Sequence, residues 1–438
     1  MNFDLTAQQA RRLRSSLMNA PVAPGGLAPA INVGTDAILK VLEEQYLARD
    51  LAEGISCFKY LEGNYGSGKT QFIQCVAKLA HRHNIVTSIV NIGQDCPFSS
   101  PLAIFQNIMT SFVPPDVEEH TFDGRGIETI FQSWIRSELR KLGVTPGNAV
   151  PDGVRQQVER PFINPWLGAP DAQMASALAS MGKILTGLEC GAALSIADQE
   201  LMQWVRGDSI RSTNLKQRNG LYEPANDQTA FRRLKTVVNF IRERMNYRGF
   251  LIAFDEGTRV NAFRRGTVKQ RQAIENMLTM INHNADGEFG GVMFIYAATP
   301  DFRSDVIQSY IALRDRIGSL AFVPGRPMTP LINLDEQNSD ETIHDLGVRL
   351  LEVFERADGF VWNREMQQAN LGQLLDAQKR LLGYPASLPP RYFVFYWCRF
   401  LEEQQKRQVA ITLDDAVNFV QANKLPDNGS GDEASSRQ

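Results

Sequence analysis

Leu5, Leu13 and Leu17 recur at helical spacing and predict a helix over 4–18, which the Pro21 to Gly26 stretch brings to an end. Ile38, Leu39, Leu42 and Leu47 predict a second helix over 36–49. The pattern then changes period. Residues 56–61 and 85–92 are short runs rich in β-branched and aromatic side chains, with helical periodicity over 69–83 between them. Strand, loop, helix and strand in that order open a parallel α/β sheet. From about 101 to 245 the strand signal disappears. Helical patterns over 105–112, 127–142, 173–188 and 198–205 are broken by Pro114-Pro115, Pro146-Gly147, Pro151-Asp152-Gly153 and the Pro161 to Pro165 stretch. So long a strandless connection reads as a helical insertion rather than a loop. A helix over 228–246 returns the chain to a strand at 250–254, a helix over 268–283 precedes a strand at 292–296, and the apolar segment 320–323 predicts a fifth strand. Beyond Pro330 the pattern is helical over 339–357, 365–382, 390–407 and 413–423, and the last dozen residues are too polar to fold.

The first strand runs into Gly63-Asn64-Tyr65-Gly66-Ser67-Gly68-Lys69-Thr70, which fits G-x-x-x-x-G-K-[ST] at every position. Glycines let the backbone wind so that several N–H groups point into one concavity, and the next helix adds its positive end. This predicts an ATP site lined by Gly63, Asn64, Tyr65, Gly66, Ser67, Gly68, Lys69, Thr70 and Gln71. Lys69 is expected to reach the β- and γ-phosphates, and the Thr70 hydroxyl to hold Mg²⁺. The strand at 250–254 ends in Asp255-Glu256. Beside a phosphate loop, Asp255 reads as the second magnesium residue and Glu256 as the base that orients and deprotonates water. A water-activating glutamate suits hydrolysis rather than transfer to another acceptor. An Asp-Glu pair is also at home in a surface turn.

Thr299 ends the apolar run Val292 to Thr299, a place that looks like sensor 1 of AAA+ ATPases, although a threonine opening a turn before Pro300 has the same look. Arg316, and after it Arg314, sit where AAA+ proteins carry the arginine that enters a neighbouring subunit's site; either can instead pair with Asp315 or a surface glutamate. Arg391 opens a helix after Pro389-Pro390, as the lid arginine called sensor 2 does, or as a helix-start arginine facing water does.

Arg259, Arg264, Arg265, Lys269 and Arg271 lie together with no acidic residue among them. Such a run repels itself unless it meets an anion, so it is a candidate contact for a DNA or RNA backbone. A solvated helix face or a subunit contact is the competing reading, and Phe263 alone offers a base-stacking ring. With a net charge of −3, any nucleic-acid contact must be local. Apolar residues at 43% and charged residues at 22% over 438 positions allow two or three domains. No apolar run reaches the roughly 18 to 20 residues of a membrane span. The N-terminus lacks a signal-peptide core, and five widely spaced cysteines fit neither zinc nor a disulfide framework, so the expected compartment is the cytoplasm.

Taken together, Ala10 to Leu17, Pro21 to Pro24, Ile31-Asn32-Val33-Gly34, the Tyr60 to Phe72 phosphate loop with its tyrosine before GSGK, the long insertion and Arg248 to Glu256 resemble the BrxD-like AAA+ ATPases of bacterial BREX phage-exclusion and related defence systems. The likeness runs from about residue 8 to 420, and the N-terminal segment with the insertion singles it out. It departs at Gly257-Thr258-Arg259, where another acidic residue is expected. The resemblance implies an ATPase acting with other defence proteins on phage DNA, as a homo-oligomer, with ATP and Mg²⁺ as its ligands. The expected fold is α/β: a P-loop NTPase (AAA+) parallel sheet core with a long helical insertion and a C-terminal helical lid domain. The expected division is an N-terminal segment 1–30, core 31–112, helical insertion 113–227, core 228–328, helical lid 329–424 and a disordered tail 425–438. Two other readings stay open: a DNA-binding initiator or transposition-type regulator switched by ATP, and a nucleotide-gated signalling scaffold without nucleic acid.

Overall fold

Strands Gly249–Asp255 (β4) and Val292–Ala298 (β5) are buried at every position, as expected of central strands of a parallel sheet covered on both faces. The computed structural model describes residues 5–19, 23–116, 125–144, 149–164, 166–210, 212–255, 266–384 and 387–423. Among these, Cys57–Glu62 (β1), Ile85–Asn91 (β2), Phe112–Val113 (β3) and Leu331–Asn333 (β6) complete a six-stranded sheet of order β3-β2-β4-β5-β1-β6. All neighbours are parallel except β2 with β3. Alternating strands and helices have produced the α/β fold that the sequence order predicts.

The chain divides into two compact units. One comprises residues 37–62 and 75–333 and contains the whole sheet. Its β1 carries a buried lysine. The Lys59 ammonium donates to the Tyr46 hydroxyl at 2.8 Å and to the carbonyls of Pro327 and Thr329 at 2.9 and 3.2 Å. Burial pushes it down to about 8. These bonds tether the 327–330 segment, from which the chain enters β6. The edge strand beside β1 is therefore Leu331–Asn333 and not 320–323: Leu320 is 60% exposed, and Ala321 makes only an isolated bridge.

The stretch without strand signal holds helices Pro101–Ser111, Ile127–Lys141, Ala172–Glu189, Ile196–Arg206 and Ala230–Met245. It also holds β3 and two helices, Asp152–Glu159 and Thr213–Asn219, absent from the expectation. Pro151 does not break the chain there; it precedes the first helical residue, where a missing N–H costs nothing. Phe131, Phe162 and Phe240 stack at centroid distances of 5.7 to 6.4 Å, tying the helices Ile127–Lys141 and Ala230–Met245 together. Gly182 is required beside them, because a Cβ there would lie 2.6 Å from the Phe162 ring.

The other unit comprises residues 1–36, 63–74 and 334–438. Helices Asp340–Asp358, Arg364–Leu382, Pro390–Lys406 and Leu413–Ala422 follow the predicted spans within two residues. Side chains of Ser339, Asn363 and Thr412 cap three of them at the start, and left-handed Gly359 and Gly383 end two. The N-terminal helix Ala7–Asn19 buries Leu13 and Leu17 in the same core as Leu350, Phe354 and Trp397. Arg14 pairs with Asp358 there. Gln367, Asn370 and Gln404 form a buried amide network that anchors the main chain at Val409 and Ile411.

Candidate phosphate-binding site

The phosphate loop leaves β1 directly after Glu62 and ends in the helix Lys69–Arg82. Gly66 and Gly68 have φ of 83° and 99°, the left-handed region that only glycine enters freely. Gly63 has no room for a side chain, since a Cβ would fall 2.3 Å from the Ser67 Oγ. The Lys69 ammonium is folded into the loop, donating to the carbonyls of Gly63 at 2.6 Å and Asn64 at 3.0 Å. Thr70 is half-buried in the first turn of the helix, and the Gln71 amide donates to the Ala28 carbonyl at 2.6 Å.

Three residues from the C-terminal part of the chain grip this loop. Asp335 accepts the Asn64 main-chain N–H on both carboxylate oxygens, at 3.1 and 2.9 Å, and the Asn64 side-chain amide at 2.9 Å. Burial raises its affinity for a proton, opposed by the Asn64 bonds and the Lys69 charge. The Asn338 amide donates to the Ser67 carbonyl, and Ser387 donates to the Asn338 carbonyl. The Arg391 main-chain N–H donates to the Gly66 carbonyl at 3.3 Å, and its guanidinium lies over the Tyr65 ring at 4.9 Å. The structure thus brings the loop and Arg391 together. Asp335 and Asn338 went unnoticed in the sequence because nothing local marks a partner some 270 residues away.

In the sheet-bearing unit, Asp255 is the last residue of β4 and is 2% exposed. It is in register with Ala297 of β5, whose next residue, Ala298, is in register with Glu62 of β1. Asp255 and the strand end that feeds the phosphate loop therefore share the carboxyl edge of the sheet, where α/β folds bind their ligands. Thr299 follows β5 at that edge and precedes a short turn of helix without capping it through its side chain. Glu62 is buried and accepts from Arg303 Nε at 2.6 Å, another pair that sequence reading missed. Arg314 and Arg316 are both exposed on the helix Ile311–Ile317. Arg314 lies 3.5 Å from Asp315, the pairing weighed against a finger role, while Arg316 donates to the Asn282 side chain at 2.8 Å.

Lys269 and Arg271 are exposed in the first turn of the helix Val268–Ala285. Glu256, Arg259, Arg264 and Arg265, like the tail 425–438, lie outside the described residues. Among the described residues no group of three or more His, Cys, Asp or Glu could hold a metal. Magnesium held chiefly by phosphates and water, with one or two protein oxygens, needs no such group. No disulfide joins the five cysteines. No helix among the described residues is long and apolar enough to cross a membrane.

A mostly parallel α/β sheet with a glycine-rich, lysine-bearing loop at the carboxyl end of a strand defines a protein of nucleotide-binding type. The chain belongs to the BREX system ATP-binding protein BrxC/D family, whose model matches residues 6–412. ATP binding and a place in BREX antiviral defence follow from that membership. A search of curated proteins finds no match, and neither does a search of solved structures.

Proposed function

We propose that the protein is a P-loop ATPase of AAA+ type, which binds ATP with magnesium and hydrolyses it to drive or switch assembly with partner defence proteins. The observation that carries this reading is the loop itself: Gly66 and Gly68 in left-handed geometry, Gly63 without space for a Cβ, and Lys69 on the loop carbonyls. A loop so wound can offer main-chain amides to phosphate, and the lysine can exchange two carbonyl oxygens for phosphate oxygens of greater charge.

The residues suit magnesium. Thr70 offers a hydroxyl and Asp255 a buried carboxylate, both hard oxygen donors. The ion, when bound, neutralises charge on the β- and γ-phosphates. Lys69 grips those same phosphates, and Thr299 orients the attacked end. Glu256 takes the proton from the incoming water. Arg391 adds positive charge from the C-terminal helical region. Arg316, with Arg314 as the second choice, completes the site of a neighbouring copy, which its exposure on a surface helix suits. Hydrolysis by isolated chains is then slow. Lys269 and Arg271, with the three arginines before them, supply contacts to a DNA backbone.

The reading is tested by phosphate release from ATP at rising protein concentration, with magnesium and with a chelator. Turnover per chain is expected to rise with concentration and to vanish with the chelator. A magnesium-independent rate, or no release at any concentration with duplex DNA and partner proteins present, rejects it.

A further inference from the structure

The phosphate loop is fixed at two points by one short segment of the C-terminal region. Asp335 receives both N–H groups of Asn64, the main-chain one on two oxygens. Three residues on, Asn338 holds the Ser67 carbonyl. The turn between these anchors is closed by the Ser67 N–H donating to the Asn64 carbonyl at 3.1 Å. That same Asn64 carbonyl, with Gly63's, carries the Lys69 ammonium. A direct chain of contacts thus runs from Asp335 through Asn64 to Lys69.

We propose that Asp335 is a positioning residue of the nucleotide site, holding the phosphate loop in its binding shape through Asn64. This rests on the reading of that loop as a triphosphate site. A carboxylate accepts this set of donors on both of its oxygens. An asparagine at 335 would turn one face of N–H groups towards Asn64, and an alanine would leave the loop's first turn to water. A glycine-rich loop is otherwise costly to order, so a loop held in shape beforehand loses less freedom when phosphate arrives. Asp335 to Asn338 lead through the capping residue Ser339 into the helix Asp340–Asp358, so the segment that holds the loop is itself held at the start of that helix.

A negative charge near bound phosphates works against affinity, so the proposal makes a signed prediction. If positioning dominates, removing Asp335 weakens ATP binding; if repulsion dominates, removal tightens it. Asp335→Asn, Asp335→Ala, Asn64→Ala and the Asn64→Ala/Asp335→Ala pair are titrated with ATP and magnesium by calorimetry on the full-length chain. Hydrogen bonds to a charged group are strong enough that the expected loss for either Asp335 variant is about tenfold or more. KM should rise by a similar factor while kcat stays within about twofold, which a general loss of folded protein does not produce. Asn64→Ala should weaken binding less, because the main-chain bond survives. The pair should be no weaker than Asp335→Ala alone, because the Asn64 side chain acts through Asp335. Affinity unchanged or tightened in both Asp335 variants, or additive losses in the pair, overturns the role of Asp335. If wild type binds while Lys69→Ala does not, the phosphate-loop reading stands regardless. If wild type itself binds no nucleotide, both readings fall together.

Discussion

Arg391 lies over Tyr65, its guanidinium carbon 4.9 Å from the ring centroid, while its main-chain N–H holds the neighbouring Gly66 carbonyl. Gly66 has little space to spare under this cover, since a Cβ there would meet the Arg391 Cβ at 3.0 Å. The stacking holds a permanent positive charge against the glycine-rich loop. Arg391→Ala keeps the main-chain bond and removes the charge. Its kcat for ATP should fall about tenfold or more, as for loss of one electrostatic stabiliser of the transition state. Phosphate-release kinetics measure this, and an unchanged kcat removes Arg391 from the chemistry.

Glu256 is the residue after Asp255 in the sequence, and the proposed function gives it the role of base. Glu256→Gln keeps the size and loses the base. ATP should bind as in wild type while turnover drops about a hundredfold or more. Equal turnover in a single-turnover assay assigns the base elsewhere.

Arg316 and Arg314 project from an exposed helix, so their loss should leave ATP binding intact. Hydrolysis should fall by about a thousandfold for whichever of them is the finger. Mixing that variant with Lys69→Ala chains separates the roles, because each partner lacks what the other supplies. Recovery of part of the activity in the mixture supports a finger acting in trans. A mixture as inactive as its components contradicts it.

His81 sits near the end of the phosphate-loop helix, with Nε2 2.9 Å from the Thr87 hydroxyl. Burial, helped by the nearby Lys78 charge, pushes it down to about 4 from 6.5. The unfolded chain therefore binds a proton below about pH 6.5 that the folded chain refuses until about pH 4. Stability should decline as pH falls through that window, by at most about 3 kcal/mol from this group. In urea titrations at pH 7 and pH 5, wild type should lose more stability than His81→Gln. Parallel losses in the two proteins place the titrating group elsewhere.

Much of this architecture was legible because local signals and tertiary demands agree. The phosphate loop declares itself by spacing, and the strand before it and helix after it carry their own periods. The C-terminal helices start where the periodic pattern does, and the caps by Ser339, Asn363 and Thr412 show why three of them start there. Legibility fails where a choice depends on distant partners. The 320–323 segment is apolar enough for a strand, yet Lys59 tethers the chain at Pro327 and Thr329, and Leu331 to Asn333 take the edge beside β1. Asp152–Glu159 escaped notice because Pro151 and Gly153 look like a turn when no partner is in view. Asp335 and Arg303 are ordinary surface-type residues in the sequence. Their significance comes from Asn64 and Glu62, which only folding brings to them.

The most direct trial of the central claim is calorimetric titration of ATP, with and without magnesium, into wild type and Lys69→Ala. One magnesium-dependent site per chain is expected in wild type and none in the variant, with the variant still unfolding in a single cooperative transition although Lys69 no longer holds the Gly63 and Asn64 carbonyls. Equal affinities in the two proteins would contradict that claim.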